Sequence, residues 1–200
     1  MRKVIVSVYT TLNGVMSPVD WRFPYISEAR GQYAHDLLFE CDALLMGRET
    51  YEAFAAVWPT ANDGPGEAGS SDRINSLPKY VVSKTLEAPL AWNNSHLIRA
   101  DLPAEVSHMK QQSGLNIIIY GAGPVAHTLI QHQLVDEIRV WIYPLVTGVT
   151  QNTKRLFEDA TDIPLLKLMN TKTFDTGLVI HTYQPAYSGG DSGDSSANLK

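Results

Sequence analysis

The stretch Asn116-Ile117-Ile118-Ile119-Tyr120 carries no charge and runs directly into Gly121-Ala122-Gly123-Pro124. Successive β-branched residues favour a buried strand. Pro124 suits the first turn of a helix, which reads to about Leu134. The same succession of strand, glycine and helix recurs upstream. Val4 to Tyr9 is an apolar first strand that meets an Asn13-Gly14 turn. Ser27 can cap a helix to about Glu40, on which Ala34, Leu37, Leu38 and Cys41 recur at i, i+3, i+4 and i+7. Asp42 to Met46 is a second apolar run ended by Gly47, and Glu49 to Val57 suits another helix. This alternation predicts an α/β fold with a mainly parallel sheet.

Other segments fill in that outline. Ser17-Pro18 and Phe23-Pro24 predict an irregular segment. Residues 58–78 are rich in Pro, Asn, Asp, Gly and Ser and predict a long stretch with no regular element, either a functional surface loop or a disordered insertion. Lys79 to Ser83, His96 to Ile98 and Asp136 to Tyr143 read as strands, and Pro103 to Gln112 as a helix. Leu165 to Phe174 and Leu178 to Gln184 flank Asp175-Thr176-Gly177, the signal of a C-terminal β-hairpin. Residues 1–186 are expected to form one domain, and 187–200, with little to bury, a disordered tail.

Composition narrows the partners. One cysteine among 200 residues excludes an internal disulfide, so Cys41 suits a reducing, cytoplasmic setting, as inert packing on its helix face. A net charge of −5 offers no basic footprint for nucleic acid. No apolar stretch approaches the ~20 residues that span a bilayer. Neither nucleic acid nor membrane is therefore expected as a partner. No metal site is expected either, because His127 and His132 fall about 140° apart round a helix.

Three strand ends carry phosphate-compatible chemistry. Gly121 to Val125 loosely matches a dinucleotide turn, in which glycines let the backbone approach a phosphate and the helix start favours negative charge. Arg48, beside Gly47 and Thr50, can fork onto a phosphate or pair with Glu52 one turn on. Ser83-Lys84-Thr85 places two hydroxyls and an ammonium after a buried strand.

The chain resembles the dihydrofolate reductase-like superfamily, in particular the branch similar to the C-terminal reductase domain of the bifunctional riboflavin biosynthesis protein. The residues that carry this are Val4 to Gly14, Leu44 to Glu52, Asp72 to Ser83, Ile119 to Gly123 and Arg155 to Glu158. The resemblance implies a central mixed sheet flanked by helices and NADPH as cofactor. It places Gly121, Ala122, Gly123, Pro124 and Val125 against the pyrophosphate and nicotinamide, with Thr50 on the pyrophosphate side. Arg48, Ser83, Lys84 and Thr85 then surround the 2′-phosphate, and Gly47 is also implied to bind the cofactor. It also implies a homodimer through the later strands, and a substrate end near Asn13, Asp20 and Trp21.

The implied reaction is hydride transfer to a C=N or C=O group of a small heterocyclic or sugar-derived substrate, with 5-amino-6-(5-phosphoribosylamino)uracil as the named candidate. Three departures stand out. Asn13-Gly14 replaces the branch's Asp-Gly, and an amide cannot accept a proton as a carboxylate does. The buried helix carboxylate of folate-reducing relatives falls near Arg30 or Gly31, with Glu28 about one turn off. The turn from Thr147 to Thr153 is long and poor in glycine. Two alternatives stay open: an NADP(H)-binding protein without turnover and, least favoured, a dihydrofolate reductase. No proton donor is evident in the sequence.

Overall fold

A computed structural model of the chain describes residues 1–158, 161 and 164–187. Its strands are β1 (Val4–Thr11), β2 (Val15–Ser17), β3 (Cys41–Gly47), β4 (Lys79–Val82), β5 (Ser95–Ile98), β6 (Asn116–Tyr120), β7 (Glu137–Tyr143), β8 (Lys154–Arg155), β9 (Leu165–Thr173) and β10 (Val179–Ala186). Its α-helices are α1 (Glu28–Phe39), α2 (Arg48–Val57), α3 (Ser70–Ser76), α4 (Leu102–Gln111) and α5 (Pro124–Gln131). Eight strands form one sheet in the order β5-β4-β3-β6-β1-β7-β10-β9, and β2 pairs with β8 in a small second sheet. From β5 to β7 neighbours are parallel, and the β9–β10 hairpin is antiparallel. The fold is the expected α/β mixed sheet with a C-terminal hairpin.

Side-chain alternation explains why the sheet needs helices on both faces. Val4, Val6 and Val8 of β1 join Ile117 and Ile119 of β6 in a core covered by α4 and α5. Ile5 and Ile118 point the other way, into a core closed by Leu37 and Leu38 of α1, Tyr51 of α2 and Ile74 of α3. No helix among the described residues is long and apolar enough to cross a membrane.

Several expectations need correction. The segment 58–78 is not devoid of structure: Trp58–Thr60 forms a 3-10 turn and Ser70–Ser76 is α3. The Asp63 carboxylate makes the helix possible by accepting the Gly69 and Ser71 N–H groups at 2.6 and 2.7 Å. That cap lies outside the local window in which cap signals are read. Asp20–Tyr25, expected to be irregular, is likewise a 3-10 turn. Helix α5 stops at Gln131 rather than Leu134, and Gln133 adopts φ 59°. Cys41 opens β3 instead of sitting on a helix face; it is fully buried, its thiol donates to the Leu37 carbonyl at 3.3 Å, and burial pushes its pKa up to about 12. The tail read at 187–200 lies, except for Tyr187, outside the described residues; the Tyr187 hydroxyl donates to the Val135 carbonyl at 2.8 Å.

Candidate functional site

Because the first six strands of the sheet order are parallel, their carboxyl ends share one side, and a cleft of about 1310 Å³ opens there. Its place follows from the path of the chain. After β1 the chain moves outward through β3, β4 and β5, returns to lay β6 between β3 and β1, and then crosses to β7. Connections from adjacent strand ends diverge at such a reversal and leave a crevice. Ser7 and Tyr9 of β1, Gly47 at the end of β3, and the turn 121–125 after β6 all line it.

Two helices begin on this wall without side-chain caps. The Ser27 hydroxyl caps α1 and the Asp101 carboxylate caps α4, while α2 and α5 start from Gly47 and Gly123 with none. Their unpaired N–H groups and dipoles favour an anion. Gly121 adopts φ +93°, which a side chain would strain, and its N–H donates to the Ser7 carbonyl at 2.8 Å. A Cβ at Gly121 or Gly123 would meet no protein atom within 4 Å, so both face open cleft. Pro124, Val125 and the buried Ala122 complete this turn on the same wall.

The cleft is cationic although the chain is acidic. Among the described residues, seven Lys and Arg side chains line it against three Glu, in a protein of net charge −5. Low-dielectric walls focus such a field on an anionic ligand. Arg48 is half-exposed and 3.4 Å from both Glu52 carboxylate oxygens, a surface pair worth less than about 1 kcal/mol and easily exchanged for a phosphate. Exposed Lys84 lines the same end, as do Thr50 and Ser83. The Ser83 hydroxyl accepts the Thr85 and Leu86 N–H groups at 3.2 and 3.0 Å and thereby fixes the turn. Thr85 belongs to that turn but not to the wall.

Arg99 is a third cation here that sequence reasoning passed over. It donates to the Leu86 carbonyl at 2.6 Å and the Lys84 carbonyl at 3.4 Å. Its signal was available, because it directly follows β5 just as Ser83 follows β4.

The other end of the cleft is built round Arg30, only 7% exposed. Its guanidinium donates to Glu67 Oε1 at 2.6 Å and to Tyr9 Oη at 2.8 Å, and lies 5.4 and 5.5 Å from the ring centroids of Tyr9 and Trp141. Burial opposes its charge, but Tyr9, Tyr143 and Glu67 more than offset this and hold its pKa above the ordinary arginine value. Glu67 reaches it because the loop backbone sits directly on α1, Pro65 against Gly31 and Gly66 against the Glu28 carbonyl. Glu28 is an exposed first-turn residue of α1.

Asn13, Asp20 and Trp21 do not share this wall. Asn13 is a structural tie: its Nδ2 donates to the Thr147 carbonyl at 2.8 Å and its Oδ1 accepts from Thr11 Oγ1 at 2.7 Å. Asp20 is exposed, and Trp21 packs edge-on against Tyr143 with ring centroids 5.0 Å apart.

Comparison with known proteins agrees with this architecture. The RibD C-terminal domain family profile matches residues 2–180. The uncharacterized protein YyaP of Bacillus subtilis is 29% identical over 182 residues, covering 91% of this chain and 94% of that protein. Among solved structures, a Shewanella sp. PV-4 protein provisionally assigned to riboflavin biosynthesis superposes with a TM-score of 0.68 at 21% identity, covering 92% of this chain and 99% of the other. The diaminohydroxyphosphoribosylaminopyrimidine deaminase/5-amino-6-(5-phosphoribosylamino)uracil reductase of Thermotoga maritima superposes with a TM-score of 0.65 at 14% identity, covering 92% of this chain and 57% of that one. At these identities the superpositions establish the fold.

Proposed function

The chain belongs to the RibD C-terminal domain family, and on that premise we propose that it is an NADPH-dependent reductase of a small heterocyclic or sugar-derived C=N or C=O compound. The observation that carries the proposal is the convergence of two uncapped helix starts and three cations, Arg48, Lys84 and Arg99, in one cleft. These groups suit the two phosphate centres of NADPH: the pyrophosphate at Gly121 to Val125 with Thr50, and the 2′-phosphate at Gly47, Arg48, Ser83, Lys84 and Arg99. Open space at Gly121 and Gly123 lets a ligand approach the backbone there. The bound cofactor would supply a hydride; the protein supplies orientation and a floor that includes Tyr9 and Trp141. A 5-amino-6-(5-phosphoribosylamino)uracil-type compound is the first acceptor to try, by analogy with the Thermotoga relative's named reaction.

Turnover is tested by following loss of reduced nicotinamide with and without pyrimidine and carbonyl acceptors. Acceptor-dependent oxidation supports a reductase, whereas NADPH binding with no acceptor reduced favours a binding protein. Arg48→Ala and Lys84→Ala should each weaken NADPH about tenfold, about 1.4 kcal/mol, while changing NADH less than about twofold. Equal losses for both nucleotides would remove the 2′-phosphate assignment.

The protein is further proposed to work as a homodimer in the cytoplasm, where its lone thiol stays reduced. Support for pairing comes from β9, a nine-residue edge strand that exposes Leu165, Leu168 and Met169. Among the described residues no strand pairs with its outer edge, and an open edge of that length invites a second copy. Light scattering should give twice the mass of the 22.1 kDa chain; a monomer at micromolar concentration would refute it.

A further inference from the structure

Reduction of C=O or C=N needs a proton as well as a hydride, and the carboxylates on the cleft wall are already engaged. Glu49 pairs with Lys154, Glu67 with Arg30, and Glu158 accepts the Arg155 N–H at 3.0 Å. Asn13 has no acidic proton, and Asp20 lies off the wall. Of the wall's nitrogen donors, His127 Nε2 is held by the Thr161 backbone at 3.2 Å, Lys154 pairs with Glu49, and exposed Lys84 stands at the Ser83 end. Among the wall's hydroxyls, one differs from the others in its environment. Tyr9 Oη accepts a hydrogen bond from the buried Arg30 guanidinium at 2.8 Å, so a full positive charge sits on the oxygen that would become negative. Among the described residues, no acceptor takes the proton of Tyr9 itself, and its side chain lines the cleft half-buried. Tyr120, on the same wall, is kept protonated by burial and has no cation bonded to its oxygen.

We propose that Tyr9 is the proton donor of the reaction, with Arg30 as the group that stabilises its phenolate and Glu67 as the group that positions Arg30. The inference rests on the reductase reading above. Hydride addition at the acceptor carbon breaks the π bond and leaves its electron pair on oxygen or nitrogen. The Tyr9 O–H bond then breaks, the proton moves to that atom, and the bonding pair stays on Tyr9 Oη, facing Arg30. Solvent returns the proton after product leaves. Position along the strand fits this order of events. Tyr9 lies two residues, about 6.6 Å, beyond Ser7 on the same face of β1, and the Ser7 carbonyl holds the Gly121 turn proposed for the nicotinamide half.

The test is Tyr9→Phe, which removes one oxygen and keeps the ring against Trp141 and Tyr143. The expected result is a kcat about a hundredfold lower with NADPH affinity unchanged, and a melting temperature lower by only a few degrees because buried Arg30 loses one of its two acceptors. The solvent deuterium effect on wild-type hydride transfer should disappear in the variant. Arg30→Lys, which keeps a charge but loses the fork, should fall between the two. A Tyr9→Phe enzyme with wild-type kcat and an intact solvent effect would overturn the role of Tyr9 while leaving the reductase reading standing. A wild-type protein that binds NADPH yet reduces no acceptor would overturn both.

Discussion

Gly31→Ala is expected to destabilise the protein by about 3 kcal/mol and to dislodge Glu67 from Arg30. A Cβ at position 31 would lie 1.8 Å from the Pro65 carbonyl oxygen, a backbone atom that cannot swing aside. The opposing contact is also too close for a side chain, since a Cβ on Gly66 would lie 2.2 Å from the Glu28 carbonyl oxygen. The two glycines therefore let the loop backbone rest on the first turn of α1, and that seat delivers Glu67 to within 2.6 Å of the buried guanidinium. Without its partner Arg30 keeps a charge that burial penalises. Chemical denaturation measures the first effect, and faster proteolysis of the 61–69 segment reports the second. A variant with wild-type stability and an unchanged cleavage pattern would show that the loop seats in some other way.

Gly123→Val is expected to weaken NADPH about a hundredfold, about 2.8 kcal/mol, while stability falls by no more than about 1 kcal/mol. Gly123 has φ −83°, which valine tolerates, and its Cβ direction leads into space free of protein atoms. The protein can accommodate the side chain, so any large effect must come from a ligand that needs the same space. Calorimetric titration beside a thermal melt separates the two quantities. Unaltered NADPH affinity would place the cofactor somewhere other than this turn.

The sequence revealed the frame of the site better than its interior. The apolar run of β3, the β-branched run of β6 and their glycine junctions announced both strands and the two helix starts, because strand propensity and turn chemistry act over a few residues. The cations at Arg48 and Lys84 were legible for the same reason: Arg48 directly follows β3 and Lys84 comes two residues after β4. Arg30 and Glu67 were not, because 37 residues separate them and their contact depends on how a loop docks onto a helix. Helix α3 was hidden for a related reason, since its cap comes from Asp63, outside the local window. Asn13, chosen by analogy with an acidic position, turned out to tie the turn after β1 to Thr147, a pairing that only the folded sheet brings together.

The central claim is that this cleft holds a phosphorylated nicotinamide dinucleotide between the Gly121 turn and the cations after β3, β4 and β5. Isothermal titration of the wild-type protein with NADPH and with NADH tests it most directly. The account predicts one NADPH per chain, bound at least about tenfold more tightly than NADH, with the difference shrinking as salt screens the exposed cations. Equal affinity for the two nucleotides, or no binding of either, would contradict it.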